Sequence, residues 1–225
     1  MKTRFFAVVS AIIRKDLQAE LRSRELIGSM GLFALLSVLI FSFALELDRI
    51  ARVEAISGVL WVTIVFSSIL GLNRSMAMER DQGNLEALLI APIDRGAIFV
   101  GKLIGNFLFT LTVGAVLLPL MTILYNLSLI TPMLILTLLL GILGFTVIGT
   151  LLAGMTVQTR ARDALLPIVM MPVALPLLLL AVRATTGIIN AAPEDQWLAF
   201  VQILGVLDLV FLGVCFLLFD FVIEE

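Results

Sequence analysis

The chain has 225 residues, 61 % of them hydrophobic and only 14 % charged, with a net charge of −2. Soluble domains average about 25 % charged residues, so this composition predicts an integral membrane protein. With no His and a single Cys, Cys215, the chain excludes His-based general-base catalysis, His ligation of a metal or haem, and an internal disulfide.

The first 25 residues, "MKTRFFAVVSAIIRKDLQAELRSRE", lack the apolar length and small-residue cleavage pattern of a secretory signal. Phe5, Val9, Ile12, Ile13, Leu17 and Leu21 recur at steps of three to four, while Lys2, Arg4, Arg14, Lys15, Arg22 and Arg24 supply a polar side. That pattern predicts an amphipathic helix over 3–24, lying in the cytoplasmic membrane interface.

A helix crosses the hydrocarbon core with about 20 apolar residues. Twenty uncharged residues separate Glu25 from Glu46, which places span one at about 26–45. Span two, about 56–73, contains "SGVLWVTIVFSSILGLN" between Glu54 and Arg74.

Residues 74–102 follow as the largest polar stretch, "RSMAMERDQGNLEALLIAPIDRGAIFVGK". Leu85, Leu88 and Leu89 fall on one side of a short helix that starts after Gly83 and stops at Pro92. Its apolar face has no core of its own, so it lies on lipid or fits a groove on another protein. The end of the stretch, "GAIFVGK" followed by Leu103, has the Gly-x4-Gly-Lys spacing of a phosphate-binding loop. Leu103 stands where that loop needs a Ser or Thr for magnesium, so the spacing is read as coincidental and Lys102 as a snorkelling anchor at the membrane surface.

Residues 103–159 carry no charge over 57 positions, enough for two spans. "YNLSLITP" at 125–132 marks the turn between span three, about 103–124, and span four, about 132–155. Span five, about 164–182, reads "ALLPIVMMPVALPLLLLAV", and span six, about 198–219, reads "LAFVQILGVLDLVFLGVCFLLF". Lys and Arg flanking alternate ends of these spans number 12 against 3. The richer side is predicted to be cytoplasmic, which puts both termini inside. The expected fold class is therefore an all-α membrane protein, one domain over 1–225.

Within the spans, Asp208 is costly at mid-membrane and must face protein or water. It reads either as a polar point in a transport path or subunit interface, or as a structural hydrogen-bond partner of Asn106, Gln202 or a hydroxyl. Pro167, Pro172 and Pro176 predict a kinked or broken span five, either as a moving hinge or as a static bend. Gly101 and Gly105 form a small-xxx-small pair suited to helix packing. Tyr125 and Trp61 read as interface anchors. Met30, Met121, Met133, Met155, Met170 and Met171 read as apolar filler rather than haem ligands. No catalytic residue and no metal site is expected.

The pattern "R....E...G.LEALL.AP..R..I..GK" resembles the coupling region of permeases that work with a separate ABC-type ATPase. The whole chain resembles the haem exporter protein B (CcmB) family, the membrane subunit of cytochrome c maturation. The similarity rests on "DLQAELRSRELIGSMGLFALLSVLIFSFAL", "GVLWVTIVFSSILGLNRSMAMERDQGNLEALLIAPIDRGAIFVGK" and "LLFDFVIEE". It covers nearly all of the chain but is weakest over 183–197. The resemblance implies a non-catalytic permease subunit in a bacterial inner membrane, paired as a homodimer with an ATPase subunit that binds the ATP. It further implies a haem-handling membrane subunit and a haem chaperone as partners, with haem held by other subunits. Glu79, Gly83, Leu85, Glu86, Leu88 and Pro92 would then belong to the loop that contacts the ATPase. A permease for another hydrophobic substrate, or a membrane scaffold without transport, remains open on the residues alone.

Overall fold

The computed structural model describes residues 5–44, 49–81, 94–156, 159 and 162–222. Among these, seven helices account for nearly every residue: α1 (Phe5–Ser23), α2 (Glu25–Ala44), α3 (Arg49–Asp81), α4 (Arg95–Tyr125), α5 (Pro132–Thr156), α6 (Arg162–Ile189) and α7 (Glu194–Val222). Six of them, α2 to α7, are long and apolar enough to cross a membrane. The predicted six spans and the preceding amphipathic helix are all present.

The helix limits follow local chemistry. Glu20 reaches from α1 to the start of α2, where its carboxylate accepts the backbone N–H groups of Leu26 (3.2 Å) and Ile27 (2.8 Å). Those donors have no partner within the helix, so Glu20 acts as a cap supplied from the previous helix. Between the two helices Arg24 adopts φ 55°, the left-handed turn that separates them. Asp94 caps α4 by accepting from Gly96 N–H at 2.9 Å, and Asn126 ends it with φ 52°. Pro132 then opens α5, where a missing N–H costs nothing.

Two boundaries differ from the sequence reading. α3 continues to Asp81 and α4 begins at Arg95, so both ends of the expected polar loop 74–102 are helical. The charged residues that argue against a span at 74–81 are compatible with helix because they emerge beyond the apolar stretch. Span five is also not broken: α6 is continuous through Pro167, Pro172 and Pro176. Its buried stripe of Leu166, Met170, Ala174, Leu177 and Ala181 packs on neighbouring helices across the hydrogen bonds that the prolines remove.

α3 and α5 are the central helices, with 72 % of their spanning residues buried, against 22–28 % for α2, α6 and α7. α2 packs on α3 and α4, α6 bridges α3, α5 and α7, and α1 lies against α4. Helices in lipid gain little from apolar contact alone, so close packing and polar links matter more. Trp61 Nε1 donates to Thr185 Oγ1 (3.0 Å), tying α3 to α6. Asn106 donates to Thr150 (3.1 Å), tying α4 to α5, and Thr110 to Ser68 (3.2 Å), tying α4 to α3. Trp61 and Tyr125 are both buried in helix contacts, which corrects their reading as interface anchors.

Candidate functional site

Lys102 lies two turns inside α4, with Nζ 2.8 Å from Asp16 Oδ2 and 2.5 Å from Glu79 Oε1. Lys15 also donates to Glu79 Oε1, at 2.5 Å, and stands 3.6 Å from Asp16 Oδ1. One buried ammonium therefore joins α1, α3 and α4. Lys102 is only 3 % exposed, which corrects its reading as a snorkelling anchor. The reason is the early start of α4, which carries Lys102 past the helix end and turns it toward α1 and α3.

Small residues make the arrangement possible. A Cβ on Gly101 would lie 2.9 Å from Ile12, and one on Gly105 would lie 3.5 Å from Asp16 Oδ2. The glycine pair lets α1 approach α4 closely enough for Asp16 to reach Lys102. "GAIFVGK" is thus the start of a membrane helix packed on α1, and no loop is present there to wrap a phosphate.

The electrostatics are those of a compensated buried cluster. Burial pushes the Asp16 carboxyl above its ordinary range, while Lys102 and then Lys15 pull it down. A cavity of about 140 Å³ adjoins the cluster, lined by Lys15, Asp16, Glu20, Ser75, Glu79 and Lys102 among others. The charged groups on one side of that cavity and its volume suit water. The remaining Glu79 oxygen, Oε2, accepts from no donor among the described residues.

Glu79, expected on the contact surface for an ATPase, is 5 % exposed and points into this cluster. Its carboxylate holds Lys102 and is not displayed outward. Gly83, Leu85, Glu86, Leu88 and Pro92 lie outside the described residues, between the end of α3 and the Asp94 cap of α4. Pro167, Pro172 and Pro176 are in α6, away from the cluster. Asp208 is in α7 and is buried; Asn106, one of its expected partners, donates to Thr150 instead, and neither Asp208 oxygen accepts from a donor among the described residues.

Sequence reasoning missed Asp16, Lys15 and Glu20. A signal was available: Val9, Ile12, Asp16 and Glu20 fall on one helical stripe, and all four are buried. Two acids on the apolar side of an amphipathic helix point to cationic or backbone partners in the protein.

Comparison with known proteins bears on this bundle as a whole. The model of the family described as "CcmB protein" matches residues 7–221, which spans α1 to α7. The chain belongs to this family. Curated relatives include "Heme exporter protein B" of Rhodobacter capsulatus, 28 % identical over 172 residues, covering 75 % of this chain and 78 % of the relative. The protein of the same name from Paracoccus denitrificans is 28 % identical over 197 residues, covering 86 % and 88 %. That of Escherichia coli K12 is 29 % identical over 101 residues, covering 44 % and 45 %. In this CcmB family member the buried cluster draws on the first, third and fourth helices, all within the matched region.

Proposed function

We propose that the chain is the permease subunit of an ABC-type complex serving cytochrome c maturation. In this reading a separate ATPase subunit binds and hydrolyses ATP. Residues 82–93 receive its motion, and the permease turns that motion into haem export or release of a haem-loaded carrier. The names of the relatives support the haem assignment.

The observation that carries the coupling role is the Lys102–Glu79 contact. It clamps the end of α3 to the start of α4, on either side of residues 82–93. A segment that receives force is useful only if its two ends are fixed to the transmembrane helices. Here both ends are joined to each other and, through Asp16, to α1. Displacement at the segment would thus reach three helices together.

The complex sits in a bacterial inner membrane with both termini of this chain in the cytoplasm. Two copies pair with two ATPase subunits, and a haem-handling membrane subunit and a haem chaperone complete the assembly. ATP resides on the partner and haem chiefly on other subunits. Pro167, Pro172 and Pro176 provide the flexible point of α6 during turnover.

The test is to solubilise the native complex and identify its subunits by mass spectrometry. An ATPase subunit and haem-handling partners are expected. Leu88→Asp should abolish ATPase co-purification while the permease still accumulates in the membrane. Recovery of the ATPase at wild-type yield with Leu88→Asp would reject the docking role of that segment.

A further inference from the structure

Asp208 sits in the middle of α7, 3 % exposed, and neither carboxyl oxygen has a donor among the described residues. Its enclosure is tight. A Cβ added to Gly144 of α5 would lie 2.1 Å from Asp208 Oδ1 and 2.2 Å from Leu177 Cδ1 of α6. The carboxyl therefore rests on bare α5 backbone, with an α6 leucine beside it.

The charged side chains described on the elements packed against α7 are engaged elsewhere or distant along the chain. α5 carries no charged residue at all. On α6, Arg183 lies over the Phe200 ring, eight residues before Asp208 on α7, and Asp163 lines a groove with Arg74 of α3. On α4, Arg95 donates to the Asp220 carbonyl and Lys102 is held by Asp16 and Glu79. On α7 itself, Glu194, Asp195 and Asp220 stand near the helix ends, and Cys215 is two turns away. An ionised carboxylate stripped of water, donors and cations is far costlier than a neutral acid.

We propose that Asp208 is a proton-binding site inside the membrane, which keeps its proton while α7 rests on Gly144 and releases it when α7 and α5 part. On release the carboxyl O–H bond breaks and the proton passes to water entering the parted contact. Closure reverses the step. The linkage is reciprocal: whatever opens the α5–α7 contact lowers proton affinity, and removing the proton favours the open contact by the same free energy. This inference does not depend on the transported species or on the ATPase.

The experiment is infrared spectroscopy of the purified complex in lipid nanodiscs, following the C=O stretch of a protonated carboxyl. A band should be present at neutral pH and absent from Asp208→Asn, which assigns it. Leu177→Ala, which loosens the enclosure without touching the acid, should weaken proton binding by about tenfold, one pH unit in the titration of the band. Gly144→Ala should act in the same direction by pushing α7 away. Absence of the assigned band from the unmodified complex at neutral pH overturns the site. An unchanged titration in a folded Leu177→Ala complex overturns the link to the helix contact.

Discussion

Lys102 Nζ and Asp16 Oδ2 are 2.8 Å apart, 86 residues separated in sequence, and both are buried. That contact changes the meaning of the first helix. The amphipathic helix expected to lie along the lipid surface is also pinned by charge to a transmembrane helix. Phe6 and Leu21 remain exposed on its outer side, so the same helix still offers apolar residues to a membrane.

Removing the ammonium should be far more harmful than removing the whole cluster. Lys102→Met leaves Asp16 and Glu79 buried with only half-exposed Lys15 between them, and a loss of about 3–5 kcal/mol is expected. The combination of Lys102→Met with Asp16→Asn and Glu79→Gln leaves no uncompensated charge in the interior and should recover most of that loss. Thermal unfolding in detergent measures both. A single variant as stable as the parent would show that the cluster is not tightly desolvated.

The solvent-exposed pair of Arg74 and Glu25 provides the contrast. Both side chains are about half exposed, and an exposed pair contributes roughly 0–1 kcal/mol. Arg74→Ala should shift the same unfolding midpoint only slightly. A shift as large as that of Lys102→Met would contradict the distinction drawn from burial.

Bulk at Gly101 should push α1 off α4. A Cβ there already meets Ile12 at 2.9 Å, so Gly101→Val is expected to cost about 1–3 kcal/mol through overpacking. Limited proteolysis should then cut within α1 sooner. Adding Ile12→Ala should restore protection, because it removes the atoms that the new side chain strikes. If proteolysis is unaffected by either change, α1 is not held by this contact.

Asp208 should be dispensable for stability. With no donor to its oxygens among the described residues, its replacement by Leu removes an unsatisfied buried group worth about 1–3 kcal/mol. Asp208→Leu should therefore unfold later than the parent, while Asp208→Asn, which keeps a buried polar group, should not. Earlier unfolding of the Leu variant would reveal a partner for the acid.

The link between α3 and α6 should be measurable as a modest coupling. Trp61→Phe removes the N–H that Thr185 accepts, and Thr185→Val removes the acceptor. Hydrogen bonds between membrane helices average about 0.6 kcal/mol, with a maximum near 1.7. A double-mutant cycle on unfolding free energy should return a value in that range. Strict additivity of the two substitutions would mean that the contact contributes nothing.

The number of spans, their order and the turn at 125–132 were legible because lipid imposes a length and a polarity on each crossing segment. The amphipathic first helix was legible from its period. Residues 74–81 and 95–102 were misjudged as loop because charge argues against lipid, not against helix, and α3 and α4 run on beyond the apolar stretch.

Composition and periodicity thus determined that this is a six-span helical membrane protein with a polar segment between its second and third spans. Only the tertiary structure decided which polar residues meet: Lys102 with Asp16 and Glu79, Trp61 with Thr185, and Asp208 with the backbone at Gly144. The physical reason is that hydropathy is a property of one segment against its solvent. Pairing depends on how two helices are rotated and how closely they approach, and neither is written in the segment alone. Glycines at 101 and 144 set that approach, so the small residues, silent in any hydropathy plot, position the charges that matter most.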